Sequence, residues 1–322
     1  RTAMNEHQAP AVLPTHDSVR HRLPQVFRIQ SIARLPFDTR CVMNRAVLFH
    51  DRACLTVEWL SRQVDVRLVV GAQVSIRWCG RPVSESGAVR VSRIVLLERP
   101  EADLNPFETI PTVWVTDRAL VRRAAFLWEC LPRGLSHLFN AVFWSGERLY
   151  RYLTGPSSIA AHTERYGNLR HCVEVAERAL DLATRESEVH LGVLIMAALL
   201  HDAGKAEEYR QGFRCLELTA RGKLIGHRTT VLEWVAAARE RHRVIVPETH
   251  YLGLIHALAS IEGAPAWSGL REPKSAEAIL LGAADRLSAA RQTTARRDGP
   301  GFDFTHTQPN TAPRRYLQAT ST

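Results

Sequence analysis

Across its 322 residues the chain has no C-x-x-C pair, no apolar run of membrane-spanning length and no internal repeat, and no signal-peptide pattern opens it. The longest nearly unbroken apolar stretch is Leu191–Leu200, about half of what a bilayer demands, so neither a membrane partner nor a spanning segment is expected. Six cysteines (Cys41, Cys54, Cys79, Cys130, Cys172 and Cys215) lie apart from one another in apolar or strand-like surroundings. That spacing argues against a zinc ribbon or a disulfide framework and for reduced thiols in a cytoplasmic protein.

What remains is an ordinary globular composition, 45% hydrophobic and 23% charged, with length enough for two domains. Positive charge is in excess: 42 Lys and Arg stand against 33 Asp and Glu, a formal net charge of +9. A polyanionic partner, most simply nucleic acid, fits this balance, as does a merely solvated basic surface.

Hydropathy patterning divides the chain. Residues 1–24 mix Pro, His, Thr and Asn without periodicity and read as a disordered tail. Short β-like runs follow from 25 to 100, at Val26–Ile29, Arg45–Phe49, Ala53–Trp59, Val74–Trp78 and Val89–Leu96. Five strands separated by turn residues suit a small OB-like β-barrel. Arg77, Arg90 and Arg93 on these strands suit a phosphate track, with Trp59 or Trp78 available to stack on bases. The same arginines equally suit a solvated face, and the tryptophans a core.

Residues 101–116, punctuated by Pro106 and Pro111, read as a linker. From 117 to 292 the pattern is all-helical, with segments near 117–130, 134–153, 168–184, 188–203, 226–242, 247–261 and 275–291. Residues 293–322 return to unperiodic polar sequence and read as a flexible tail. The fold class expected is therefore α+β and multidomain, a barrel followed by a helical bundle.

The helix Leu191–Ala203 is apolar on every side, which places it in the middle of its domain. Gly204 is the natural stop for it. At its end sit His201 and Asp202, and a buried carboxylate is costly unless paired or metal-bound. His-Asp pairs also occur at His16-Asp17 and His50-Asp51, so the helix and not the dipeptide marks the site. Asn168 suits a helix N-cap, and His171 in the following turn lies off the packing stripe of Leu169, Cys172, Val173 and Ala176. Asp285 sits among Leu281, Gly282, Ala283 and Ala284, small neighbours that let helices approach a carboxylate closely.

His171, His201, Asp202 and Asp285 thus offer two imidazoles and two carboxylates. That mixed set suits one divalent ion, Mn²⁺ or else Mg²⁺, Fe²⁺, Ni²⁺ or Zn²⁺. His227, opening a helix at Gly226, and His256 would complete a second site bridged by Asp202; His256 also suits a buried core position. Two ions about 3.5–4 Å apart are usual in phosphoester hydrolysis.

The ordered set His171, His201-Asp202 and Asp285 resembles the HD-domain metal-dependent phosphohydrolases. It is most similar to the bacterial 3′→5′ exoribonucleases that place an OB-fold before an HD domain. Gly155-Pro156-Ser157-Ser158, His162 and Gly167-Asn168-Leu169-Arg170-His171 resemble that branch's approach to its first ligand helix. His201-Asp202-Ala203-Gly204-Lys205, Leu224-Ile225-Gly226-His227 and Ala284-Asp285-Arg286-Leu287 are similar to further motifs, as is Ile255-His256 with Gly263-Ala264-Pro265 after it. Two paired histidines of the branch are reduced here, to Ala161-His162 and to His256-Ala257. The helical module of conjugative relaxases carries related signatures.

The resemblance implies a metal-activated water attacking a phosphodiester of single-stranded RNA or DNA, with Asp202 bridging. Lys205 and His162 would contact phosphate oxygens or the leaving group, although Lys205 also suits a plain helix cap. Hydrolysis of small nucleotides, or a nucleic-acid-binding accessory role with a weakened metal site, are the other functions it leaves open. A homo-oligomer is compatible with the sequence.

Overall fold

Strand β1 (Val26–Pro36) carries Phe27 and Ile29 inward and bends at a register shift between Ile29 and Ser31. The bend lets one strand serve two neighbours: Val26–Arg28 pair with β4 (Gln73–Trp78), and the rest with β2 (Val42–His50). β2 pairs antiparallel with β3 (Ala53–Ser61), which meets β5 (Val89–Leu96) in a short parallel register, and β5 returns along β4. The result is a closed barrel of order β1-β2-β3-β5-β4, filled by Phe27, Ile29, Leu48, Val57, Trp59, Val74, Ile76, Val91 and Ile94. Closure removes the free sheet edges that five short strands would otherwise expose. This computed structural model describes residues 23–79, 87–157, 165–211 and 216–297. The tail expected at 1–24 and the one at 293–322 lie mostly outside these.

The proline-punctuated stretch is packed. A 3-10 turn at Pro106–Thr109 buries Phe107 and Ile110 fully, and Trp114 and Val115 join the same helical core. Against it sits the barrel. Buried Arg28 donates from Nε to Thr109 Oγ1 at 3.1 Å and from Nη1 to the Gly71 carbonyl at 2.7 Å. Asp51 donates its backbone N–H to the Glu108 carbonyl at 2.7 Å, and its carboxylate pairs with Arg118. His50-Asp51 therefore belongs to the seam between the two parts.

The helical part comprises α1 (Arg118–Glu129), α2 (Arg133–Val142), α3 (Gly146–Thr154), α4 (Gly167–Ala183), α5 (Leu191–Leu200) and a one-turn α6 (Lys205–Glu208). A two-stranded hairpin, β6 (Tyr209–Gln211) with β7 (Leu216–Leu218), precedes α7 (Ala220–Leu224), α8 (Gly226–Arg241), α9 (Glu248–Ala259) and α10 (Ala276–Arg297). The helix expected over 134–153 is two helices. Ser145 caps the second by accepting the Arg148 N–H, and Gly146 presses against Gly71 of the barrel. A Cβ on Gly146 would fall 2.7 Å from the Gly71 carbonyl oxygen, so the chain breaks there to admit the barrel.

α5 is the axis. Gly192 to Leu200 are all buried, and α1, α2, α4, α9 and α10 pack around it. Each leucine so enclosed contributes about 1.5–3 kcal/mol. At its start His190 Nδ1 accepts the Val193 N–H at 3.1 Å, and at its end the chain delivers His201 and Asp202. Asn168 does not cap α4 as its position suggests. The cap is Tyr166 in a left-handed conformation, φ 71°, and Asn168 is buried inside the first turn.

Candidate metal centre

Three elements converge on one point. α4 supplies His171 from its second turn, α5 supplies His201 and Asp202 from the turn that ends it, and α10 supplies Asp285. His201 Nδ1 lies 2.8 Å from the Ala198 carbonyl. A carbonyl can only accept, so Nδ1 carries the hydrogen and Nε2 presents its lone pair to the cluster. His171 Nε2 is 3.3 Å from His201 Nε2, 3.3 Å from Asp202 Oδ2 and 3.2 Å from Asp285 Oδ1. His201 Nε2 lies 3.6 Å from Asp202 Oδ2 and 3.9 Å from Asp285 Oδ1.

Charge follows from this crowding. Burial works to raise the Asp202 pKa, but His201, His171 and Lys205 outweigh it and hold the carboxyl well below its ordinary range. Burial lowers His171, yet the hydrogen bonds to Asp202 and Asp285 prevail and push it up to about 9. Burial dominates at His201 and keeps it below its ordinary value. Asp285 is also held down, because His171 and His201 overcome its own burial. Without a metal the cluster thus holds one extra proton, on His171, between two carboxylates.

The donor set fits a divalent ion. Ligand atoms about 2.0–2.2 Å from a shared ion stand about 3.0–3.6 Å from one another in tetrahedral or octahedral arrangements, and His171 Nε2 already stands 3.2–3.3 Å from His201, Asp202 and Asp285. Among the described residues, one atom each from His171, His201 and Asp285 falls within 4.8 Å of the others. Nitrogen and carboxylate oxygen without thiolate suits Mn²⁺, Fe²⁺, Mg²⁺, Ni²⁺ or Zn²⁺.

Asp202 faces two ways. Its Oδ2 meets the first cluster, while its Oδ1 is 3.4 Å from His227 Nε2 at the start of α8. Glu208 Oε2 lies 2.7 Å from His227 Nδ1, which fixes the ring and aims Nε2 at Asp202. Glu208 was not evident in the sequence. It lies six residues beyond Asp202, and only the β6–β7 hairpin that follows folds α8 back against it.

The other residues singled out by sequence are dispersed. His256 is not gathered with these side chains: its Nε2 accepts the Lys274 backbone N–H at 2.9 Å, and Ala257 lies on the wall of a cavity beside His201 and Asp285. Lys205 Nζ contacts Asp202 Oδ2 at 2.5 Å, so its ammonium neutralises the carboxylate. His162 lies outside the described residues. In the barrel, Arg77 and Arg93 are exposed register partners on β4 and β5, and Arg90 is exposed opposite Glu58. Trp59 is buried in the barrel core, and Trp78 is half-buried against it.

Gly204 does not stop α5, which ends at Leu200; its φ of −63° is ordinary for any residue. Its role is steric. A Cβ there would lie 2.2 Å from the His227 carbonyl oxygen and 2.9 Å from its Cα. Gly204→Ala is therefore expected to push the start of α8 away from Asp202. The measured signature would be metal affinity weakened about 10–100-fold, the usual cost of disturbing ligand support, with the far-ultraviolet circular dichroism unchanged. Unaltered metal affinity in that variant would detach His227 from the site.

A His-Asp pair at the end of a buried helix, with a histidine and an aspartate from flanking helices beside it, makes a candidate divalent-metal site. Residues 168–290 match the family model of the HD domain, and the barrel precedes the matched region. Members of the HD-domain family are metal-dependent phosphohydrolases. No curated protein and no solved structure matches the chain. No helix among the described residues is long and apolar enough to cross a membrane.

Proposed function

We propose that the protein is a metal-dependent phosphodiesterase that shortens single-stranded nucleic acid from its 3′ end. The observation that carries this reading is the two-faced Asp202, flanked by His171 and His201 on one oxygen and by His227 on the other. A divalent ion bound there, Mn²⁺ in the first instance, would supply a water of lowered pKa and a positive charge for a phosphoryl oxygen. His171, His201, Asp202 and Asp285 would hold it, and Asp202 with His227 would hold a second, looser one. The protein's own groups do the positioning: the Ala198 carbonyl and Glu208 fix the two imidazole rings, and Lys205 keeps Asp202 anionic.

The barrel supports a polymeric substrate. Like charges directly opposite on neighbouring strands are destabilising, so the Arg77–Arg93 pair costs stability unless an anion lies over it. Arg77→Ala with Arg93→Ala is expected to weaken single-stranded RNA binding about tenfold at low salt. It should also flatten the salt dependence by roughly 0.7 per lost phosphate contact. Equal affinity and an equal salt slope would make the barrel an assembly module.

The direction of attack is tested with strands labelled at either end, incubated with the full chain and Mn²⁺. The proposal expects mononucleotides released from a free 3′ end and protection by a 3′ block. Turnover of mononucleotides alone would replace it with a nucleotide phosphohydrolase.

A further inference from the structure

Beside the metal centre lies a cavity of about 660 Å³, within the range of small-ligand pockets. His201 and Asp285 form part of its wall, and Leu258, Ile261 and Leu281 contribute apolar surface. Ala257 is small and leaves space where the resemblance implies an imidazole.

The charges on this wall are unequal in availability. Arg286 is paired with Glu262. Asp285 faces the two imidazoles, and Glu272 is exposed to solvent. Arg228 donates from Nη1 to the Ser260 carbonyl at 3.0 Å, its one side-chain hydrogen bond among the described residues. A carbonyl orients a guanidinium without neutralising it, which leaves a fork of N–H donors and a full charge beside the metal donors. Lys205, the cation expected on the phosphate, is already engaged by Asp202 and is largely buried.

We propose that Arg228 is the anion grip of this cavity. It holds the phosphate of a single terminal nucleotide, whose sugar and base occupy the apolar part next to His201 and Asp285. The assignment deepens the phosphodiesterase reading and rests on it for the identity of the ligand. Arg228 acts as a positioning residue, because it fixes the nucleotide and takes no part in proton transfer.

The test is equilibrium binding of adenosine 5′-monophosphate, inorganic phosphate and adenosine to the metal-free full chain, by titration calorimetry. Arg228→Ala should weaken the nucleotide and phosphate at least tenfold and leave adenosine unchanged. Arg228→Lys should recover only part of the loss, since an ammonium lacks the fork. With Mn²⁺ present, KM for a short diester should rise at least tenfold in Arg228→Ala while kcat changes less. Nucleotide affinity indifferent to Arg228→Ala, or no measurable nucleotide binding by the unaltered protein, overturns the inference even if diesters are hydrolysed. Nucleotide binding that depends on Arg228 in a protein that cleaves no diester upholds the grip and overturns the phosphodiesterase reading instead.

Discussion

Asp202→Ala is expected to empty the metal centre and abolish hydrolysis, with turnover falling about 10³-fold or more. Asp202 lies against four members of the site: His171 at 3.3 Å, His201 at 3.6 Å, His227 at 3.4 Å and Lys205 at 2.5 Å. Removing it takes one anion from the metal donors and leaves the Lys205 ammonium without its counter-ion in a buried place. Breaking one side of such a buried pair costs about 3–5 kcal/mol, so the melting temperature of Asp202→Ala should fall as well. Asp202→Asn keeps the volume and removes the charge, which separates the two effects. It too should lose the metal, by elemental analysis, with a smaller change in melting. Full metal occupancy in Asp202→Asn would refute the assignment of the site.

The second large effect is on pH. His171 must surrender its proton to act as a ligand, and in the metal-free protein it keeps that proton up to about pH 9. Below that value apparent metal affinity should fall about tenfold per pH unit. Between pH 8.5 and 6.5 the loss should reach about a hundredfold, with close to one proton released per ion bound.

The stability of the metal-free protein runs the other way. A histidine whose folded pKa is raised contributes stability that is complete below its unfolded value near 6.5. That contribution disappears as pH rises through about 9. Metal-free protein should therefore melt at lower temperature at pH 9 than at pH 6.5, and saturating metal should reverse the order. Calorimetric titrations in two buffers of different ionisation enthalpy would detect the proton. Affinity flat from pH 6.5 to 8.5 would show that His171 is not a ligand.

Much of this site was legible because its strongest signals are local. An all-apolar run ending in His201-Asp202 can only be a central helix with a polar end, and Asp285 among small residues has few uses other than a partner. The five strands were legible for the same reason, since alternation in Val74–Trp78 and turn residues between the runs are short-range features. What escaped was relational. Glu208 is one of several exposed-looking acids until the hairpin turns it towards His227. The roles of Gly146 and Gly204 are close approaches to residues far along the chain, Gly71 and His227, and no spacing announces them. Asn168 had the right chemistry for a cap, but a left-handed Tyr166 moved the helix start two residues earlier and buried it. His256 was expected either to complete a second metal site with His227 or to sit in the core, and its Nε2 instead accepts the Lys274 backbone N–H.

Hydrolysis of a simple phosphodiester by the full chain, stripped of metal and then titrated with Mn²⁺, tests the central claim most directly. No turnover is expected after stripping, with recovery that tracks the first bound equivalent measured by elemental analysis. No recovery is expected in Asp202→Asn. Turnover that survives complete removal of metal, or its absence with Mn²⁺, Mg²⁺, Fe²⁺, Ni²⁺ and Zn²⁺ alike, would contradict that claim.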